Sequence, residues 1–197
     1  MATYSDIRYD MTLSSSTTGG GSMVLLETQT ASSSSTISFT SGIDDTYKEY
    51  IFKFYDIHPS NDGTVFQVNF RDGSTAYDAT KTSSSFIAYH LEDGTSSTLV
   101  YDGDADLAQG TGVQRLSWNI GNENDENIGG YLHLYDPSST TFVKHYVAST
   151  IYNNNNSYAN NTYVAGYCNV TTAIDGVQFT MAAGTIDAGT FKLYGVN

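Results

Sequence analysis

Thr64-Val65-Phe66-Gln67-Val68-Asn69-Phe70-Arg71, followed at once by Asp72-Gly73, decides the fold. Phe66, Val68 and Phe70 fall on one side of an extended chain, and Gln67, Asn69 and Arg71 on the other. A period of two marks a half-buried strand, and Asp-Gly ends it in a turn. The same pattern recurs outward from this stretch. Leu116, Trp118 and Ile120 oppose Arg115, Ser117 and Asn119, and Val177, Phe179 and Met181 oppose Gln178 and Thr180. Further strands are expected at 24–28, 36–40, 50–57, 86–91, 113–120, 131–135, 142–151, 162–169, 177–181 and 190–196. The segments between them carry turn signals: Asn61-Asp62-Gly63, Asp93-Gly94, Asp102-Gly103 and Asp175-Gly176. About ten short strands in one domain predict an all-β antiparallel β-sandwich, jelly-roll-like in architecture.

Composition agrees. Ser, Thr and Gly make up about a third of the 197 residues, and 16 Tyr and 9 Phe supply apolar area for a core. Five Lys, three Arg and five Glu are too few for a helical bundle. Residues 1–22 are set apart as an extended N-terminal arm. Tyr4, Ile7, Tyr9, Met11 and Leu13 are its candidate anchors, and Ser14–Ser22 is a Ser/Thr/Gly linker. The sandwich domain is expected over 23–197.

A net charge of −13 repels phosphate, so nucleic acid is not an expected partner. No segment has membrane-spanning character and Met1–Leu13 has no signal-peptide core, which together point to cytosolic synthesis and no membrane partner. In that compartment the Asn-x-Ser/Thr sequences at Asn155, Asn160 and Asn169 carry no meaning. Cys168, the single cysteine, cannot form an internal disulfide and is expected as a small buried side chain.

Catalytic and metal motifs are missing. Asp102, Asp104 and Asp106 alternate as calcium ligands do, but the sixth and twelfth positions of the helix-loop-helix calcium motif fall on Leu107 and Val113. These aspartates, like Glu123-Asn124-Asp125-Glu126, are expected in water-facing turns, with no metal and no cofactor. His58, His90, His133 and His145 are scattered, and no Gly-x-Ser-x-Gly elbow or phosphate loop occurs. Nothing pairs Glu27, Glu49 or Glu92 as glycosidase carboxylates. The expectation is a protein that is not an enzyme. Tyr131, His133 and Tyr135 alternate with Leu132 and Leu134, so they project together and form a candidate exposed contact strip. Tyrosines with the Asn-rich segment 153–161 are also the materials of a glycan site.

Several stretches carry a resemblance: Leu25–Ser32 running into Ile37–Asp44, Tyr47–Pro59 (YKEYIFKFYDIHP), His133–Thr141 with Val143-Lys144-His145, and Gly189–Val196. In this order they resemble β-sandwich structural proteins of tailed bacteriophages, particularly those of marine bacteria. The resemblance implies a virion protein assembled in the host cytoplasm and carried on the particle exterior, as capsid decoration (cement) or tail fibre. Its partners would be other virion proteins and copies of itself, a trimer being the first expectation. It implies no catalytic site. The alternative is a receptor-binding module that recognises host surface glycans.

Overall fold

The computed structural model describes residues 22–197, so the arm anchors Tyr4, Ile7, Tyr9, Met11 and Leu13 lie outside the described residues. The alternating segments pair, all antiparallel, into two sheets. The larger contains β1 (Met23–Ser34), β3 (Glu49–Pro59), β5 (Lys81–Leu91), β6 (Ser97–Tyr101), β7 (Leu107–Gly110), β9 (Ile128–Tyr135), β10 (Lys144–Asn153), β11 (Tyr158–Cys168) and β13 (Ile186–Val196). The smaller contains β2 (Thr36–Phe39), β4 (Phe66–Arg71), β8 (Gln114–Arg115) and β12 (Gly176–Met181). Strand order is β1-β13-β3-β9-β10-β11-β5-β6 in the larger sheet, with β7 also on β5, and β2-β12-β4-β8 in the smaller. No helix occurs among the described residues.

Apolar positions of both sheets meet between the layers. Phe66, Val68, Phe70, Val177 and Phe179 are fully buried against Phe52, Phe54, Leu132, Leu134, Phe191 and Leu193. Phe179 is the hub, with ring centroids 5.0 Å from Phe54, 5.4 Å from Phe191, 5.7 Å from Phe52 and 5.8 Å from Phe66. Removing each such side chain from water contributes about 1.5–3 kcal/mol, and edge-to-face ring contacts add to it.

At the β4–β8 edge of the four-stranded sheet, the inner face of β10 and β5 meets β4, β8 and the segment around β8, with the Phe70 ring 5.0 Å from that of Tyr146. Gln114 donates to Ala105 O (2.8 Å) and accepts from Tyr146 Oη (3.0 Å), while Thr150 Oγ1 donates to Leu116 O. Polar groups are buried in this half. Lys144, Cys168 and Lys81 sit opposite one another on β10, β11 and β5, all with no exposure. Lys81 Nζ donates to Asn69 Oδ1 (2.5 Å) and Ala79 O (2.7 Å), and Lys144 Nζ to Val170 O (2.8 Å). Burial lowers Lys81 to about 8 and pushes the Cys168 thiol up to about 12.

Three expectations need correction. The segment 113–120 is not one strand: only Gln114–Arg115 forms a ladder, Ile120 makes isolated bridges to Thr64 and Asn154, and Trp118 is 41% exposed instead of sharing the core with Leu116 and Ile120. The chain leaves the sheet because Ser117 Oγ accepts Phe66 N–H (2.8 Å), Trp118 N–H turns to Tyr152 Oη (2.8 Å) and Asn119 adopts φ +45°. Phe142, assigned to a strand, is 71% exposed in the turn before β10. The strands β6 and β7 and the first half of β5 were not expected, because exposed edge strands and the run Lys81-Thr82-Ser83-Ser84-Ser85 show no apolar alternation.

Candidate functional site

Antiparallel register places every second residue of the larger sheet on the side away from the core, and no element covers this outer face among the described residues. Its rows mix aromatic and aliphatic side chains with lysine, serine and asparagine. Lys192 on β13 stands opposite Lys53 on β3, then come Tyr131, Ser149, Tyr163, Phe86 and Tyr101 across β9, β10, β11, β5 and β6. The neighbouring rows bring Tyr55, Ile151 and Leu99 on one side and His133 and Val147 on the other. Exposure is 60% for Ile151, 68% for Leu99 and about two-fifths for Tyr55, Tyr131, Tyr163 and Phe86. The Phe86 and Tyr163 rings stack at 4.9 Å. Lys53 lies 5.6 Å from the Tyr194 ring and Lys192 5.5 Å from the Tyr55 ring, so the two ammonium groups are held over aromatic faces.

Tyr131, His133 and Tyr135 lie together on this face along β9. His133 sits between the two phenols, 5.0 Å from the Tyr131 ring and 6.2 Å from the Tyr135 ring. Its Nδ1 hydrogen-bonds Glu49 Oε1 on the adjacent strand β3. Partial burial, and then the Glu49 carboxylate, raises the Tyr135 phenol above its ordinary value. The strip is therefore the β9 share of a wider surface, crossing its successive rows, a fact set by strand order and not by the segment itself.

At one end the outer face sinks into a shallow groove of about 960 Å³. Its floor is low because Gly129, Ala88 and Ala159 supply almost no side chain, and its rim carries Asp56, Glu92 and Asp125. β3 bends here, with a register shift between Phe54 and Ile57 and Asp56 at φ +52°.

Beside the groove, sharing Tyr89 and Asn160 with it, lies a pocket of about 430 Å³. Three separated segments build it: Tyr89 and Leu91 at the end of β5, Trp118 and Asn119 beyond β8, and the β10–β11 turn with Asn154, Asn156, Tyr158 and Asn160. Backbone bonds strap the segments together, Asn155 N–H donating to Asn119 O (3.1 Å) and Asn154 bridging Ile120. The Tyr89 and Tyr158 rings meet edge to face at 5.1 Å. Nothing in the alternation pattern pointed to Trp118 as part of a site. The Asn-rich run did point to this turn.

No three His, Cys, Asp or Glu side chains converge on a metal position among the described residues. In the acidic loop Asp102 Oδ1 accepts Asp104 N–H (3.2 Å) and Asp106 Oδ2 accepts Tyr101 Oη–H (2.6 Å). In the second acidic segment Glu126 folds back to accept Glu123 N–H (2.7 Å). Comparison with protein-family models, curated proteins and solved structures found no match to this chain.

Proposed function

We propose that this protein is a non-enzymatic structural component of the exterior of a tailed-phage virion, a capsid decoration or tail-fibre-type protein that works by packing against its neighbours. The observation that carries the reading is the uncovered aromatic face of the nine-stranded sheet. Monomeric proteins rarely leave contiguous apolar surface of more than a few hundred Å² in water, and larger patches mark interfaces. Tyrosine suits such a contact: it buries a wide ring at low entropic cost and keeps a polar tip for the wetter rim. The acidic charge keeps a protein with this face soluble and clear of packaged nucleic acid. The assignment to a virion rests on the resemblance of the segments between Leu25 and Val196. Repetition in a symmetric homo-oligomer, a trimer in the simplest case, multiplies a weak single contact.

The test is Tyr163→Asp, which sets a charge in the middle of the face on a residue that is 39% exposed. Light scattering should find the wild type oligomeric and the variant reduced to monomers with an unchanged β-type circular dichroism spectrum. Antibody labelling of phage particles should place the protein on their surface. A wild type that is monomeric at its highest soluble concentration and unlabelled on particles refutes the proposal.

A further inference from the structure

We infer that the pocket between Trp118 and the β10–β11 turn binds a neutral sugar ring, a function separate from the packing face. Its walls carry aromatic rings, from Tyr89, Trp118 and Tyr158, side-chain amides, from Asn119, Asn154, Asn156 and Asn160, and one aliphatic side chain, Leu91. No charged side chain lines it. A ligand matched to that set is uncharged, has a flat apolar face to lie on a ring, and has an edge of groups that both donate and accept. A pyranose has this form: its C–H face stacks on an aromatic ring, and each hydroxyl pairs with an amide that offers C=O and NH₂ together. An acidic saccharide would find no cation here, and would approach a protein of net charge −13.

Asn160 supplies an independent sign of a ligand. It is only 5% exposed, and its Nδ2 donates to Tyr158 O (2.6 Å), yet its Oδ1 is buried without a partner. An orphaned buried acceptor is costly until a donor reaches it. Asn160 lines both this pocket and the groove beside it, and a sugar hydroxyl entering from the pocket would be such a donor. The neighbouring amide of Asn154 is already committed, its Oδ1 accepting the N–H groups of Asn156 (3.1 Å) and Tyr158 (3.0 Å). It therefore acts as a brace that shapes the turn, leaving Asn160 and the exposed Asn156 to meet the ligand. Because the three segments are already strapped together, binding costs little ordering entropy. A volume of about 430 Å³ sits toward the small end of ligand sites, about 300–1,000 Å³, enough for one or two rings.

Trp118 is the only tryptophan in the chain, so its fluorescence reports on this pocket alone. The experiment titrates the purified full chain with glucose, galactose, mannose and N-acetylglucosamine, with glucuronic acid as the charged probe. At least one neutral sugar should shift or quench the emission along a saturable single-site curve. Asn160→Ala should weaken that response by about tenfold or more. Asn156→Ala, at an exposed position that leaves folding intact, should weaken it as well, while Tyr163→Asp should leave it unchanged. No saturable response to any neutral sugar up to about 100 mM, a range that still detects millimolar dissociation constants, overturns the inference. So does an unaltered response in both asparagine variants, or tighter binding of glucuronic acid than of glucose.

Discussion

Lys81→Met tests the buried polar row directly. Lys81 has no exposure and no carboxylate partner among the described residues, and its ammonium group is held by Asn69 Oδ1 and Ala79 O alone. Burial lowers it from 10.5 to about 8, and at 1.36 kcal/mol for each tenfold the charged form costs about 3 kcal/mol in the fold. The unfolded chain binds the proton more tightly, so between pH 8 and 10.5 it carries more protons than the folded one, and wild-type stability rises with pH through that window. Integrated, the Lys81 contribution gains about 1 kcal/mol between pH 7 and 9 and about 2.5 kcal/mol by pH 10. Cys168 and Tyr152, each pushed up to about 12, work in the opposite sense because the fold retains protons that the unfolded chain releases. Lys81 lowers the facing Cys168 thiol, so its removal pushes that thiol higher still; the folded thiol keeps its proton up to pH 10 in both proteins, and the difference between them reports Lys81. Urea unfolding followed by circular dichroism at pH 7, 9 and 10 should show wild type gaining on Lys81→Met by these amounts. A difference that stays flat or falls across the three pH values refutes the reasoning.

Two further outcomes are expected. A Cβ on Gly130 would stand 2.3 Å from Ser149 O and 2.9 Å from Thr150 Cα, both backbone atoms that cannot swing away. Gly130→Ala should therefore cost about 3 kcal/mol or more, lowering the melting temperature by roughly 6–12 °C. Native Cys168, fully buried with its thiol pushed up, should resist Ellman's reagent and react only when urea unfolds the chain.

Much of the sandwich was legible because the signal for a half-buried strand is local. Phe66, Val68 and Phe70, or Val177 and Phe179, declare their inner face through their immediate neighbours, and all five are fully buried. The same reasoning fails where a side chain's surroundings come from elsewhere in the chain. Trp118 fits the alternation of Leu116 and Ile120, yet contacts with Phe66 and Tyr152 turn the backbone and put its ring in water. Ser97–Tyr101 is exposed along its whole length and pairs only because the edge of β5 is free to accept it. Lys81 and Ser85 look like solvent positions and are buried, Lys81 reaching to Asn69 on β4 beside Cys168 of β11, and Ser85 standing opposite Val164 of β11.

The candidate sites divide in the same way. Alternation with Leu132 and Leu134 by itself set Tyr131, His133 and Tyr135 on one side of a strand, just as composition set the acidic charge and the unpaired thiol. Only the strand order β13-β3-β9-β10-β11-β5-β6 made that side part of a broad aromatic face, and only tertiary contact brought residues 89–91, 118–119 and 154–160 around one pocket. A two-residue period reports which way a side chain points. What it meets there depends on pairings between segments far apart in the chain, which no local pattern encodes.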